Sequence, residues 1–403
     1  MTNDKNLRVL VEQEIERANG ILYLEPAWVA RDFLPSGRRF GIPESQYDLG
    51  ERGGISERWL ASTTEADNRI KVPDEGLSFL ALDSDRRITL RDAVKAALET
   101  ILGKDYAATH PRGLDRLAKL FDYKYRIPYH LHQMKKHAAL VGRNPKEEAY
   151  YFPEGVPMGN EPETYFGVHP SIVDKKQYET LLPYLQEWNS DLILRHSRAF
   201  KLVPDDGWHV PAGILHSPGT ALTVELQEDS DVFAILQAKT GAGLISKDLL
   251  FKDVRPEDRE KFGERIILDM IDWKANGDPY FFENHHTSPI LIEETRQPGG
   301  EEYWIFYNTT KFSGKKLTVR SGGTFKSRDN GVYTVFVWKG RGSVDGHAVR
   351  AGEEKRDELL VCHQKAVEEI VVENTGTEDL VMFKFFGPDV NADLPMLQPY
   401  RGN

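Results

Sequence analysis

Residues 127–134 read IPYHLHQM, and with them the texture of the chain changes. His130 and His132 are separated by one residue in a short apolar run bounded by Pro128 and Gln133. On a strand, residues two apart leave the same face, so both imidazoles can grip one ion. Downstream, the runs AYYFPEG (149–155), TYFGVH (164–169), AFKLVP (199–204), GWHVPAG (207–213) and ALTVEL (221–226) recur at strand length with turn residues between them. This spacing predicts an all-β segment.

An isolated His-x-His pair is as readily two surface or hydrogen-bonded core histidines as a metal site. Two further groups change that reading. Glu148 lies sixteen residues after His132, and His216 closes the run PAGILH (211–216), where a tight turn delivers a third imidazole from a separate segment. Three imidazoles and one carboxylate suit Zn, Mn, Fe or Ni better than Mg or Ca, which prefer oxygen shells. Glu147 and Glu148 are neighbours and should face opposite ways, so only Glu148 is expected to share the histidines' face. His285 and His286 are adjacent and expected to be structural, as is His209 in its Trp-His-Val run; Cys362 reads as a small buried hydrophobe.

The rest of the chain frames this segment. Residues 1–19 predict an amphipathic helix ending at Gly20, and TLRDAVKAALETILG (89–103) a capped helix closed by Gly103. GLDRLAKLFD (113–122) reads as a further helical piece, 171–189 as a helical insertion between strands, and 255–274 as a helical bridge. From 285 to 390 short strands return, among them EYWIFYN, YTVFVWKG and LVMFKFFG, without a second His-x-His. Two tandem β-barrels, the second free of metal, are expected.

The 403 residues carry 52 basic and 63 acidic side chains, a net charge of -11. That charge argues against nucleic acid and anionic membrane surfaces as partners and favours a small molecule. No stretch approaches a membrane span. With a single cysteine and no apolar signal-like segment at the start, a cytoplasmic location is expected.

Several motifs resemble those of the cupins and, among them, of the type I mannose-6-phosphate isomerases. GGISERWLAST (53–63) resembles that family's Glu-x-Trp-x-x-Ser segment, and KLFD (119–122) followed by IPYHLHQ its stretch ending in a Gln-x-His metal pair. KEEAYY (146–151) resembles the segment carrying its carboxylate ligand, LILRHSRAFKLVPDDGWHVPAGILHSPG (192–219) its stretch ending in Pro-Ala-Gly-x-x-His, and LTVELQEDSD (222–231) its Leu-Leu-Glu-Ile-Gln-x-x-Ser-Asp. Three positions depart from the pattern: His130 replaces the glutamine ligand, Asp205 a turn glycine, and Ile235 an arginine.

The resemblance implies a mainly β fold of two cupin-like jelly-roll barrels in tandem with amino-terminal and inserted helices. Its expected parts are 1–120, a helical and mixed region packed on the barrels; 121–250, the metal-binding barrel with the 171–189 insertion; 251–284, a helical connector; and 285–403, a degenerate barrel. It implies a metal-dependent aldose–ketose isomerase acting on a sugar or sugar phosphate, with Zn2+ (or Mn, Fe or Ni) on His130, His132, Glu148 and His216. Glu225, nine residues after His216, would move the proton, and Lys119 and Lys146 would orient sugar oxygens. An isomerase of an unphosphorylated sugar or sugar acid, a non-catalytic sugar-binding cupin and an iron oxygenase stand beside this reading.

Overall fold

The computed structural model describes residues 2–402. Its amino-terminal helix, Thr2–Arg17, buries Val11 and Ile15. It stops where Gly20, at φ +77°, donates its N–H to the Ile15 carbonyl at 2.8 Å, the left-handed close that glycine tolerates best. The helix of 89–103 begins with the Thr89 hydroxyl accepting from the Asp92 N–H at 3.0 Å. It breaks at Ala97 into Leu90–Ala96 and Leu98–Leu102, and Gly103 closes it at φ +83°.

The described strands form several antiparallel sheets, and the fold is mainly β. A seven-stranded sheet has Arg116–Phe121, Thr223–Glu228, Glu148–Tyr151 and Gly207–Val210 at its centre. A five-stranded sheet runs from Ala234–Ile235 through His130–Leu131, His216–Ser217 and Glu163–Phe166 to Arg198–Lys201. The carboxyl-terminal residues build a four-stranded sheet and, with Ile21–Glu25 and Phe79–Leu80, an eight-stranded one. Among the described residues no sheet closes on itself, so the ladders draw open sheets where closed tandem barrels were expected.

The amino-terminal segment divides between these sheets. Ile21–Glu25 pairs with Glu358–Val361 in the eight-stranded sheet, and Ala27–Arg31, only one residue further on, pairs with Gly54–Leu60 in the seven-stranded one. The outer face of the seven-stranded sheet, carrying Ala118, Leu120, Ala149, Tyr151, Val224 and Leu226, packs on Ile305, Phe306, Phe336 and Phe383 of the eight-stranded sheet. Its inner face carries the buried polar groups of the site beside an apolar cluster of Phe121, Tyr150, Trp208 and Val210 that meets Phe166 of the five-stranded sheet.

One expectation is corrected. Residues 116–121 are a strand in the middle of the seven-stranded sheet, paired with Gly54–Leu60 on one side and Thr223–Glu228 on the other. Leu114, Leu117 and Leu120 mimic a helical stripe. The strand is buried on both faces, and Lys119 points inward, so hydropathy does not alternate along it. Helices Pro170–Asp174 and Leu182–Glu187 fall in the 171–189 insertion. They pack with Ile267, Leu268 and Met270 over Tyr129, Leu131 and Leu215, covering the outer face of the five-stranded sheet. Asp205 takes the turn conformation of a glycine, at φ +65°. Among the described residues no helix is long and apolar enough to cross a membrane.

Candidate metal centre

Antiparallel pairing sets His130 opposite His216 and, on its other side, opposite Ile235. His132 follows one residue past the ladder. The rings of His130, His132 and His216 lie with centroids 4.0–5.1 Å apart, and one nitrogen of each falls within 4.8 Å of the others. All three side chains are buried.

Each imidazole is oriented by a backbone carbonyl. Nδ1 of His130 meets the Pro128 carbonyl at 2.7 Å, Nδ1 of His132 the Val232 carbonyl at 2.7 Å, and Nδ1 of His216 the Ile214 carbonyl at 2.9 Å. A carbonyl only accepts, so each Nδ1 must carry the proton and donate it. In a neutral ring this turns the lone pair of Nε2 toward the centre, the arrangement typical of metal-ligating histidines. Burial drives His130 well below the usual imidazole range and His132 down to about 3, so both rings are neutral.

Glu148 closes the group from the opposite sheet. Its Oε2 lies 2.9 Å from Nε2 of His132 and its Oε1 3.0 Å from Nε2 of His216. Burial alone would raise this carboxyl, but Lys146 at 3.0 Å holds it well below the ordinary carboxylate range. A carboxylate oxygen therefore faces an unprotonated nitrogen at hydrogen-bond distance with no hydrogen between them. Nε2 of His132 and Nε2 of His216 are buried without a hydrogen-bond partner, and Oε2 of Glu148 has beside it, as a donor, only the Lys146 ammonium. Lone pairs converging in a buried site are compensated by a cation. This donor set fits a borderline transition ion such as zinc.

Beyond Glu148 runs a chain of buried charges. Lys146 Nζ also reaches Glu225 Oε1 at 3.3 Å, and Lys119 Nζ reaches Glu225 Oε2 at 3.2 Å and Glu57 Oε2 at 3.8 Å. Burial pushes the Glu225 carboxyl up to about 8, against the pull of Lys119 and Lys146. Glu57, by contrast, is brought down to about 2: burial would raise it, and Arg31 and Lys119 outweigh that. Tyr150 donates its hydroxyl to Glu148 from the same face of the strand.

All seven residues expected from the sequence, His130, His132, Glu148, His216, Glu225, Lys119 and Lys146, are brought to this one place. Glu147 points away from it, toward His209 at 2.9 Å and Thr309. His209 and His285 lie on that far side, and His286 is hydrogen-bonded to Asp206. The sequence reading missed Arg31 and the aromatic walls Phe33 and Phe233, and held Tyr150 and Asp231 only within quoted motifs. Glu57 was quoted only as part of a motif. The available signal was charge at inward strand positions, as with Glu57, whose Oε2 accepts from the Trp59 indole at 2.7 Å.

No protein-family model matches the chain, and no curated protein matches it in sequence. Solved structures share its fold. Mannose 6-phosphate isomerase from Bacillus subtilis aligns with a TM-score of 0.59 at 16% identity, covering 90% of this chain and 99% of that one. A point mutant of phosphomannose isomerase from Salmonella typhimurium aligns with 0.61 at 10% identity over 92% and 100%. A zinc-bound mannose 6-phosphate isomerase aligns with 0.58 at 10% identity, also over 92% and 100%. At these identities the likeness is one of fold.

Proposed function

We propose that the protein is a metal-dependent aldose–ketose isomerase acting on a hexose of the mannose type or its 6-phosphate. The observation that carries this reading is Glu225: a buried carboxyl with a raised pKa, bridged by Lys146 to the carboxylate that closes a three-imidazole group. Isomerisation moves a proton from C2 to C1 of the sugar through an enediol, while the C1 aldehyde becomes a hydroxyl and the C2 hydroxyl a ketone. It requires a base near neutral pKa and a cation beside the developing oxyanion.

His130, His132, His216 and Glu148 would hold the ion, zinc or alternatively Mn, Fe or Ni, which when bound supplies Lewis-acid polarisation of the sugar oxygens. Glu225 takes the C2 proton and returns it to C1. Lys119 and Lys146 orient the sugar hydroxyls and stabilise the ionised form of Glu225. Phe33, Phe233 and Ile235 form the apolar part of the wall and exclude water. We read the two sheet pairs as tandem cupin-type units, with 121–250 as the metal-bearing unit, 285–403 as its degenerate partner and 251–284 as the connector, and place the protein in the cytoplasm.

The test is solvent exchange. Zinc-supplemented protein is incubated with mannose or mannose 6-phosphate in deuterated water, and the sugar is followed by NMR. Deuterium gain in the sugar together with ketose formation, both lost in Glu225→Gln at unchanged metal content, is the expected outcome. Wild-type protein that binds zinc yet neither exchanges nor isomerises any aldose would defeat the proposal.

A further inference from the structure

We infer that the substrate is an uncharged saccharide whose far end, or a further sugar unit, occupies an outer chamber beside the metal cavity. The inference rests on the isomerase reading only for which end of the sugar faces the histidines.

Two cavities meet at Arg31, Phe33 and Phe233. The inner one, at the histidines, has a volume of about 50 Å³, room for roughly four water molecules at 10–15 Å³ each. A hexose does not fit there whole, although its reacting carbons do. The outer one has a volume of about 590 Å³, within the range of cavities that hold whole organic ligands and far more than one phosphate occupies. Whatever reacts at the inner end must extend into the outer chamber.

Every cation lining the outer chamber is already paired with a carboxylate. A phosphate group carries close to two negative charges and must regain in hydrogen bonds from cations what it loses in hydration. Arg31 is the buried cation at the junction, and its five N–H donors are all spoken for. Nε and one terminal nitrogen donate to Glu57 at 3.0 and 3.2 Å, both terminal nitrogens donate to Asp231 at 3.2 and 3.1 Å, and one donates to Asn68 at 2.9 Å. Lys252 donates to the Asp231 carbonyl at 2.8 Å and lies 3.2 and 3.5 Å from the Asp67 and Asp253 carboxylates. The two exposed cations on the rim, Arg69 and Lys71, sit on Asp32 and Asp67. In the short helical turn Lys247–Leu250 the Asp248 N–H is turned to the Ser246 hydroxyl. A bound zinc adds its charge at the opposite, inner end.

The remaining lining suits a neutral sugar. Phe233, Leu249 and Leu244, the last 65% exposed, present apolar surface beside Ser246 and the paired carboxylates of Asp32 and Asp67. Sugars bind through C–H faces laid on apolar groups, with hydroxyls exchanged among polar acceptors such as these.

Calorimetric titration of the zinc-supplemented full chain with mannose, β-1,4-mannobiose and mannose 6-phosphate tests this without requiring turnover. At least one neutral saccharide should bind tenfold or more tightly than mannose 6-phosphate. Equal or tighter binding of the phosphosugar, or no binding of either neutral sugar, overturns the inference. Ketose formation is read in the same samples: neutral saccharides bound but never isomerised would leave this inference standing and refute the isomerase reading instead.

Discussion

Replacing Arg31 by methionine removes the one cation that Glu57 and Asp231 share. All three side chains are at most 6% exposed, so the substitution leaves two carboxylates buried about a common gap. Removing one partner of a buried ion pair costs about 3–5 kcal/mol. The Glu57 carboxyl gives an independent figure. It stands at about 2 against an ordinary 4.5, and at 1.36 kcal/mol per unit this difference is worth about 3 kcal/mol. Because the folded value is depressed, that stability is present above pH 4.5 and is lost as pH falls toward 2 in the wild type. In Arg31→Met, burial is opposed by Lys119 as the one remaining cation, at 3.8 Å, and by the hydrogen bonds from Trp59 and Tyr123, and the Glu57 value should rise above 4.5. The variant then becomes more stable on acidification from pH 7 to 5, where the wild type gains nothing from this group. Urea unfolding at the two pH values checks both points. A loss below 1 kcal/mol at pH 7, or the same loss at pH 5 as at pH 7, would refute the reasoning.

Other perturbations carry equally definite expectations. Glu225→Gln should lower kcat by roughly 10²–10⁴-fold, the usual contribution of a positioned base, with bound metal unchanged by elemental analysis. Burial raises Glu358 to about 7 despite Arg58 beside it, so its contribution to stability is full below pH 4.5 and is lost as pH rises through 7, up to about 3 kcal/mol; the denaturation midpoint of Glu358→Gln should vary less between pH 5 and 8 than that of the wild type.

The ligand group was legible because it depends on local geometry. A His-x-His pair on a strand, a turn delivering His216, and the parity that separates Glu148 from Glu147 all follow from the two-residue period of a strand. The helix ends at Gly20 and Gly103 were legible for the same reason. Long-range pairing was not. Arg31 and Asp231 are 200 residues apart, and neither shows in sequence that it will neutralise the other. The strand Arg116–Phe121 escaped because it is buried throughout and each face mixes polar with apolar side chains, Lys119 with Leu117 and Phe121 on one and Arg116 with Ala118 and Leu120 on the other, which erases the alternation that strands are read by. Which sheet each amino-terminal strand joins is decided at Pro26, a single residue between Glu25 and Ala27, and nothing local distinguishes the two destinations.

The claim on which everything else depends is that Nε2 of His132 and Nε2 of His216 face Glu148 because a cation belongs between them. Elemental analysis of protein purified without a metal-affinity tag, dialysed and then exposed to excess zinc, tests it directly. Close to one transition ion per chain is expected in the wild type, falling to a trace in the His132→Ala, Glu148→Ala double variant and remaining near one in Glu147→Ala. No retained metal in the wild type after supplementation, or equal retention in the double variant, would contradict it.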